Sequence, residues 1–186
     1  MLTEDYIMRL INQALAVLLV ALGLKRSGQY NEALQTYDQA LGSLLGLDAH
    51  LAKQLDDSLL LKMLTFQEKV DIDRLLVVAD IYREESEVYN LQGQLEYSHF
   101  AAKRSLRLYL EAALASEVNP ALELIQKIEG LRINLDGATL PFETRLALLD
   151  YLDRMLASGD DFLASAGLSR QALLAASSSL DSPDIR

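Results

Sequence analysis

The chain has no cysteine and no tryptophan, only 3 prolines and 9 glycines among 186 residues, and just 2 histidines. The missing cysteine excludes disulfides, thiolate nucleophiles and thiolate metal sites together, and it fits a reducing compartment. So few prolines and glycines disfavour turn-rich β structure. Basic residues are also short, 17 against 27 acidic ones, for a net charge of -10. A basic stripe for phosphates is absent, so neither nucleic acid nor an anionic membrane surface is an expected partner. No Gly-x-Ser-x-Gly elbow, phosphate loop or dinucleotide fingerprint occurs, and catalysis is not expected.

The start Met1-Leu2-Thr3-Glu4-Asp5 is acidic, whereas a secretory leader begins basic. The apolar run Ala14 to Leu24 is shorter than a bilayer span and is bracketed by Asn12-Gln13 and Lys25-Arg26. These features predict a soluble, cytoplasmic chain with its natural N-terminus. Hydrophobic residues make up 51%, enough for a real core in one domain, residues 1–176.

Helical spacing of apolar residues predicts an all-α fold. The first helix runs from about Glu4 to Arg26, with Thr3 as N-cap. A second runs from Tyr30 to Leu45, closed by Gly46. An apolar stretch, 48–70, reads as an insertion of two short helices capped by Asp48 and by Asp56 or Asp57. The next pair spans 71–118 and turns at Gly93, with Phe100 and Tyr109 facing inward. C-terminal helices fill 120–176, the first capped by Asn119 before Pro120. The polar tail 177–186 is expected to fray.

Gly28-Gln29-Tyr30, followed by Ala33, Tyr37 and Ala40, sets small and aromatic residues at fixed offsets after a helix and a tight turn. Gly93-Gln94-Leu95, with Ser98, Ala102 and Ser105, is a weaker copy. Gly28 and Gly93 stand almost two repeats of roughly 34 residues apart. Gly159 marks a weak third copy. This pattern resembles the tetratricopeptide repeat (TPR). With Met1 to Arg9 and Leu140-Pro141-Phe142-Glu143-Thr144-Arg145, the arrangement is similar to an uncharacterised bacterial family with TPR-like hairpins. The resemblance implies about three antiparallel hairpins (4–46, 71–118 and one near Gly159) and no activity. A plain helical bundle is the alternative architecture.

By the register of such hairpins, the concave groove carries Lys25 and Arg26 from the first pair and Asp80, Arg83, Glu87 and Asn90 from the second. Lys25, Arg83 and Asn90 are candidates to hold a peptide carboxylate, as the family's grooves do. Leu15, Leu18 and Leu22 form an apolar interface that needs a cover. The insertion, a second copy of the chain, or a partner helix would each supply one. The expected function is therefore a non-enzymatic protein or peptide interaction module, with a homodimer as one form and no cofactor. The alternatives are a metalloprotein or enzyme using Glu96 and His99, a Glu-x-x-His pair, or a sensor of peptides or small molecules. Glu84, Glu85 and Glu87 read as a solvated helix face. Tyr82, Tyr89 and Tyr109 read as hairpin core.

Overall fold

A computed structural model describes residues 2–66 and 69–180. The described chain is all-α, with ten α-helices, one short 3-10 turn and a single two-residue strand pair. Its contacts cluster in two compact units, Met1–Leu108 and Tyr109–Arg186, where one domain is expected from the sequence.

In the first unit, α1 (Leu2–Arg26) and α2 (Tyr30–Leu45) form a hairpin. Gly28 takes φ 78°, a conformation glycine reaches without a Cβ penalty. There the Gln29 N–H donates to the Leu24 carbonyl at 2.9 Å, which uses an orphan carbonyl of the helix end. Ala14, Ala21, Ala33 and Ala40 are all buried, and their small side chains let the two backbones approach. Tyr37 fills the space beside them and is fully buried.

α5 (Ile72–Leu91) and α6 (Leu95–Ala115) repeat this geometry through Gly93 at φ 73°, with Gln94 N–H donating to the Tyr89 carbonyl at 2.8 Å. Serines replace the alanines at this crossing. Ser98 Oγ donates to the Ser86 carbonyl at 2.9 Å, and Ser105 Oγ to the Ala79 carbonyl at 2.8 Å. α5 packs against both α1 and α2. Arg74 also donates to the Leu44 carbonyl, tying α5 to the end of α2.

The segment between the hairpins holds α3 (Ala49–Gln54), α4 (Asp57–Met63) and a β1–β2 pair, Thr65–Phe66 with Lys69–Val70. Asp48 accepts from His50 N–H and Asp56 from Leu59 N–H, so both caps form. Asp57 is not a cap. It accepts instead from Arg104 at 2.8 Å.

The second unit contains the end of α6, α7 (Leu122–Asn134), a 3-10 turn (Gly137–Thr139), α8 (Phe142–Ala157), α9 (Asp160–Ser165) and α10 (Arg170–Leu180). Its core includes Tyr109, Ile125, Ile128, Leu148, Tyr151, Leu152, Met155, Leu163 and Leu173. Several expectations are corrected here. α7 begins at Leu122 after an uncapped Ala121, and the Asn119 side chain accepts instead from Ser158 Oγ at 3.3 Å. Gly159 has an ordinary extended backbone before α9. Gly167 makes the left-handed turn, φ 70°, with Leu168 N–H donating to the Leu163 carbonyl. That turn follows a helix of six residues, and Ala172 after it is exposed, so the tight small-residue crossing of the first unit is not repeated. Ser177 to Leu180 belong to α10, and Leu180 is buried. Residues 181–186 lie outside what is described; Thr3 falls within α1, which already begins at Leu2, and not before it as the expected cap.

Candidate functional site

The predicted apolar interface does not form one patch. Leu18 is buried, Leu22 is half-buried and Leu15 is exposed. The helical stripe of Ile11, Ala14, Leu18 and Ala21 turns inward, because α2 and α5 cover that side. The outward apolar face is instead Met8, Leu15, Leu19 and Val20. Asp5–Arg26 is long and apolar enough to span a membrane by length and composition alone, as a buried core helix also can be, so the apolar segment is longer than the Ala14–Leu24 run suggests.

The structure brings part of the predicted groove together, with its charge already neutralised. Lys25 Nζ lies 2.5 Å from Glu84 Oε2 and 2.7 Å from Glu87 Oε2. Arg83 donates to Glu84 at 2.8 Å. Burial pulls the Lys25 ammonium down, but the two carboxylates outweigh it and raise it. Lys25 therefore ties α1 to α5. Asp80 is half-buried on α5, while Arg26 and Asn90 are exposed.

A second site lies one helical face away on α5. Tyr82, Glu85 and Tyr89 follow i, i+3, i+7 spacing and point the same way. Glu96, Tyr97, Phe100 and Ala101 on α6 face them, and Lys53 of α3 closes one side. Together they line an open recess of about 420 Å³, within the range of small-molecule pockets. Tyr89 and Tyr97 stack at 5.5 Å between centroids, tilted by 32°. Tyr97 is 62% exposed and Phe100 56%, so the rim is aromatic and open. Phe100 was expected in the core; it lies at the mouth of the recess instead.

Charge is concentrated at the inner end. Lys53 Nζ forms an ion pair with Asp38 of α2 and stands 3.0 Å from Glu85 Oε1. Glu85 is 2% exposed, and that oxygen receives no aligned hydrogen bond among the described residues. Burial drives the Glu85 carboxyl up to about 7, against the pull of Lys53. Burial lowers the Lys53 ammonium, and Glu85 and Asp38 more than reverse this. Glu84 and Glu85 are thus buried acids, not the solvated face expected. Each of the two is matched by a lysine from a different helix.

Arg104, one turn beyond Phe100 and Ala101, pins the insertion in place. It is 5% exposed, pairs with Asp57, and donates to the Lys53 and Leu55 carbonyls and to Tyr82 Oη. Its guanidinium stacks 5.2 Å from the Tyr82 centroid and 4.9 Å from that of Phe100. Glu96 lines the recess, while its candidate metal partner His99 is exposed and is not part of that lining. No group of three or more His, Cys, Asp or Glu side chains able to hold a metal occurs among the described residues. Comparison of the chain with protein-family models, with curated proteins and with solved structures finds no match.

Proposed function

We propose that this chain is a non-enzymatic, cytoplasmic interaction module of TPR type, which engages a protein or peptide through the recess between α5 and α6. The hairpin array is supported by the shared turn geometry at Gly28 and Gly93, by the small-residue crossings, and by the seating of α5 against both helices of the first hairpin. The observation that carries the binding role is the recess itself: exposed Tyr97 and Phe100 frame an apolar cavity over a buried ion cluster. Such aromatics are costly to expose without a partner and are the residue types that anchor interfaces. Selection from a random peptide library tests this. The protein should enrich a consistent sequence motif, and Tyr97→Ser/Phe100→Ser should lose it. Enrichment that survives this double substitution would refute the assignment.

Self-association through α1 is a second reading, favoured by the outward face of Leu15, Leu19 and Val20, the last two 71% and 60% exposed. Light scattering on a sizing column should then report a dimer, and Leu19→Glu a monomer. A monomeric parent chain would remove it.

A further inference from the structure

We infer that the recess selects an ammonium-bearing ligand with an apolar body. This inference rests on the recess being the binding site.

The charge balance gives the sign. Lys53 is flanked by the Asp38 and Glu85 carboxylates, and Glu96 lines the same recess, three acids against one ammonium. Arg104 adds nothing to offset them, because Asp57 already matches it. An anionic guest would meet an excess of negative charge; a cation would relieve it. The walls agree with that sign. Tyr82, Tyr89, Tyr97 and Phe100 all line the cavity, and aromatic faces attract cations through their quadrupole. The Arg104 guanidinium already uses this attraction on Tyr82 and Phe100. The Tyr89–Tyr97 pair joins the α5 and α6 walls of the recess.

Position adds a built acceptor. Glu85 Oε1 is buried at the inner end and lacks an aligned donor among the described residues. A second N–H donor entering there would share that oxygen with Lys53, whose Nζ stands 3.0 Å away. Glu96, exposed in the first turn of α6, supplies a second carboxylate nearer the mouth. The apolar body of the ligand would then lie against the tyrosines and Phe100. A free arylalkylamine and a lysine side chain beside an aromatic residue both fit this chemistry.

Isothermal titration at about pH 8 with three matched probes decides the matter. 2-Phenylethylamine should bind at least about fivefold more tightly than 2-phenylethanol, and 3-phenylpropionate should bind least. Glu96→Gln, an exposed change that leaves the core intact, should weaken the amine about three- to tenfold and leave the alcohol unaffected. The peptide acetyl-Phe-Lys-amide, compared with acetyl-Phe-Gln-amide, separates a side-chain source from a free amine. If all three small probes bind equally, or the carboxylate binds best, the cation preference is wrong while the recess remains a site. If neither probes nor peptides bind, the recess assignment itself falls, and the inference with it.

Discussion

Glu85 makes the stability of this protein fall with rising pH across the neutral range. The carboxyl is buried on α5 and held at about 7 in the folded chain, against 4.5 for a free glutamate. The cause is loss of water, only partly offset by Lys53. The folded state therefore holds the proton more tightly than the unfolded state. Its stabilising contribution is complete below about pH 4.5 and is lost as pH rises through about 7. Between about pH 5.5 and about pH 8 the linkage amounts to about 2 kcal/mol, or about 4–8 °C in Tm for a chain of this length.

The assay is thermal or urea unfolding at those two pH values, on the parent chain and on Glu85→Gln. The amide keeps the shape and the neutral state at every pH. The parent should lose about 2 kcal/mol on going to the higher pH, and Glu85→Gln should lose much less. Two profiles that run parallel would refute the argument. They would mean that Lys53 holds Glu85 ionised, so that desolvation is not the dominant influence.

Other consequences follow from the same packing. Arg104→Lys keeps the charge but cannot reach Asp57 and the Lys53 and Leu55 carbonyls together, so it should cost about 3 kcal/mol in urea unfolding. Full retention of stability would show that the clamp does not hold the insertion. Ala33→Leu places three extra carbons at the fully buried α1–α2 crossing and should cost about 1–3 kcal/mol; an unchanged Tm would overturn the crossing register. Gly28→Ala and Gly93→Ala meet no neighbour within 4 Å, but each forces a Cβ into positive φ. Each should lower stability by about 1–2 kcal/mol. A neutral result at both would mean that the turns relax.

The hairpins of the first unit were legible because their signals are local. A glycine that must take positive φ, with small residues at helical offsets on both sides, can be read from neighbouring positions. Asp48 and Asp56 likewise announce their caps within three residues. The recess was not legible, because its polar end depends on distant parts of the chain. Glu84, Glu85 and Glu87 read as a wet face until α1 brings Lys25 to one side and α3 brings Lys53 to the other. One signal was available: Glu85 shares its helical face with Tyr82 and Tyr89, both read as core. An acid on a core stripe needs a cation, and that would have singled out Lys53. Phe100 was misassigned by counting apolar spacing alone. Ala101, Ser105 and Leu108 occupy the inner side of α6, and Phe100 falls outside it. In the second unit Gly159 carried the wrong weight. Its extended backbone precedes α9, and Gly167 makes the turn.

The segment between the hairpins joins stability to binding. Lys53 reaches the recess from α3, and Arg104 grips the chain on either side of the α3–α4 junction. An unbroken repeat array would lack this lysine and the ion cluster around it. Glu85 is therefore surrounded by Lys53 from α3, Asp38 from α2, Tyr82 and Tyr89 on its own helix, and Arg104 on α6 through Tyr82. A cation that enters beside Glu85 favours its ionised form, so binding must release the proton that folding retained. Binding then strengthens as pH rises through about 7, the direction in which the empty protein weakens. If contact requires the carboxylate, affinity for 2-phenylethylamine should rise as much as about thirtyfold from about pH 5.5 to about pH 8, while the amine stays protonated throughout. Glu85→Gln should flatten that rise. A pH-independent affinity in the parent chain would place the ammonium at Glu96 alone, and the buried acid would then act only in folding.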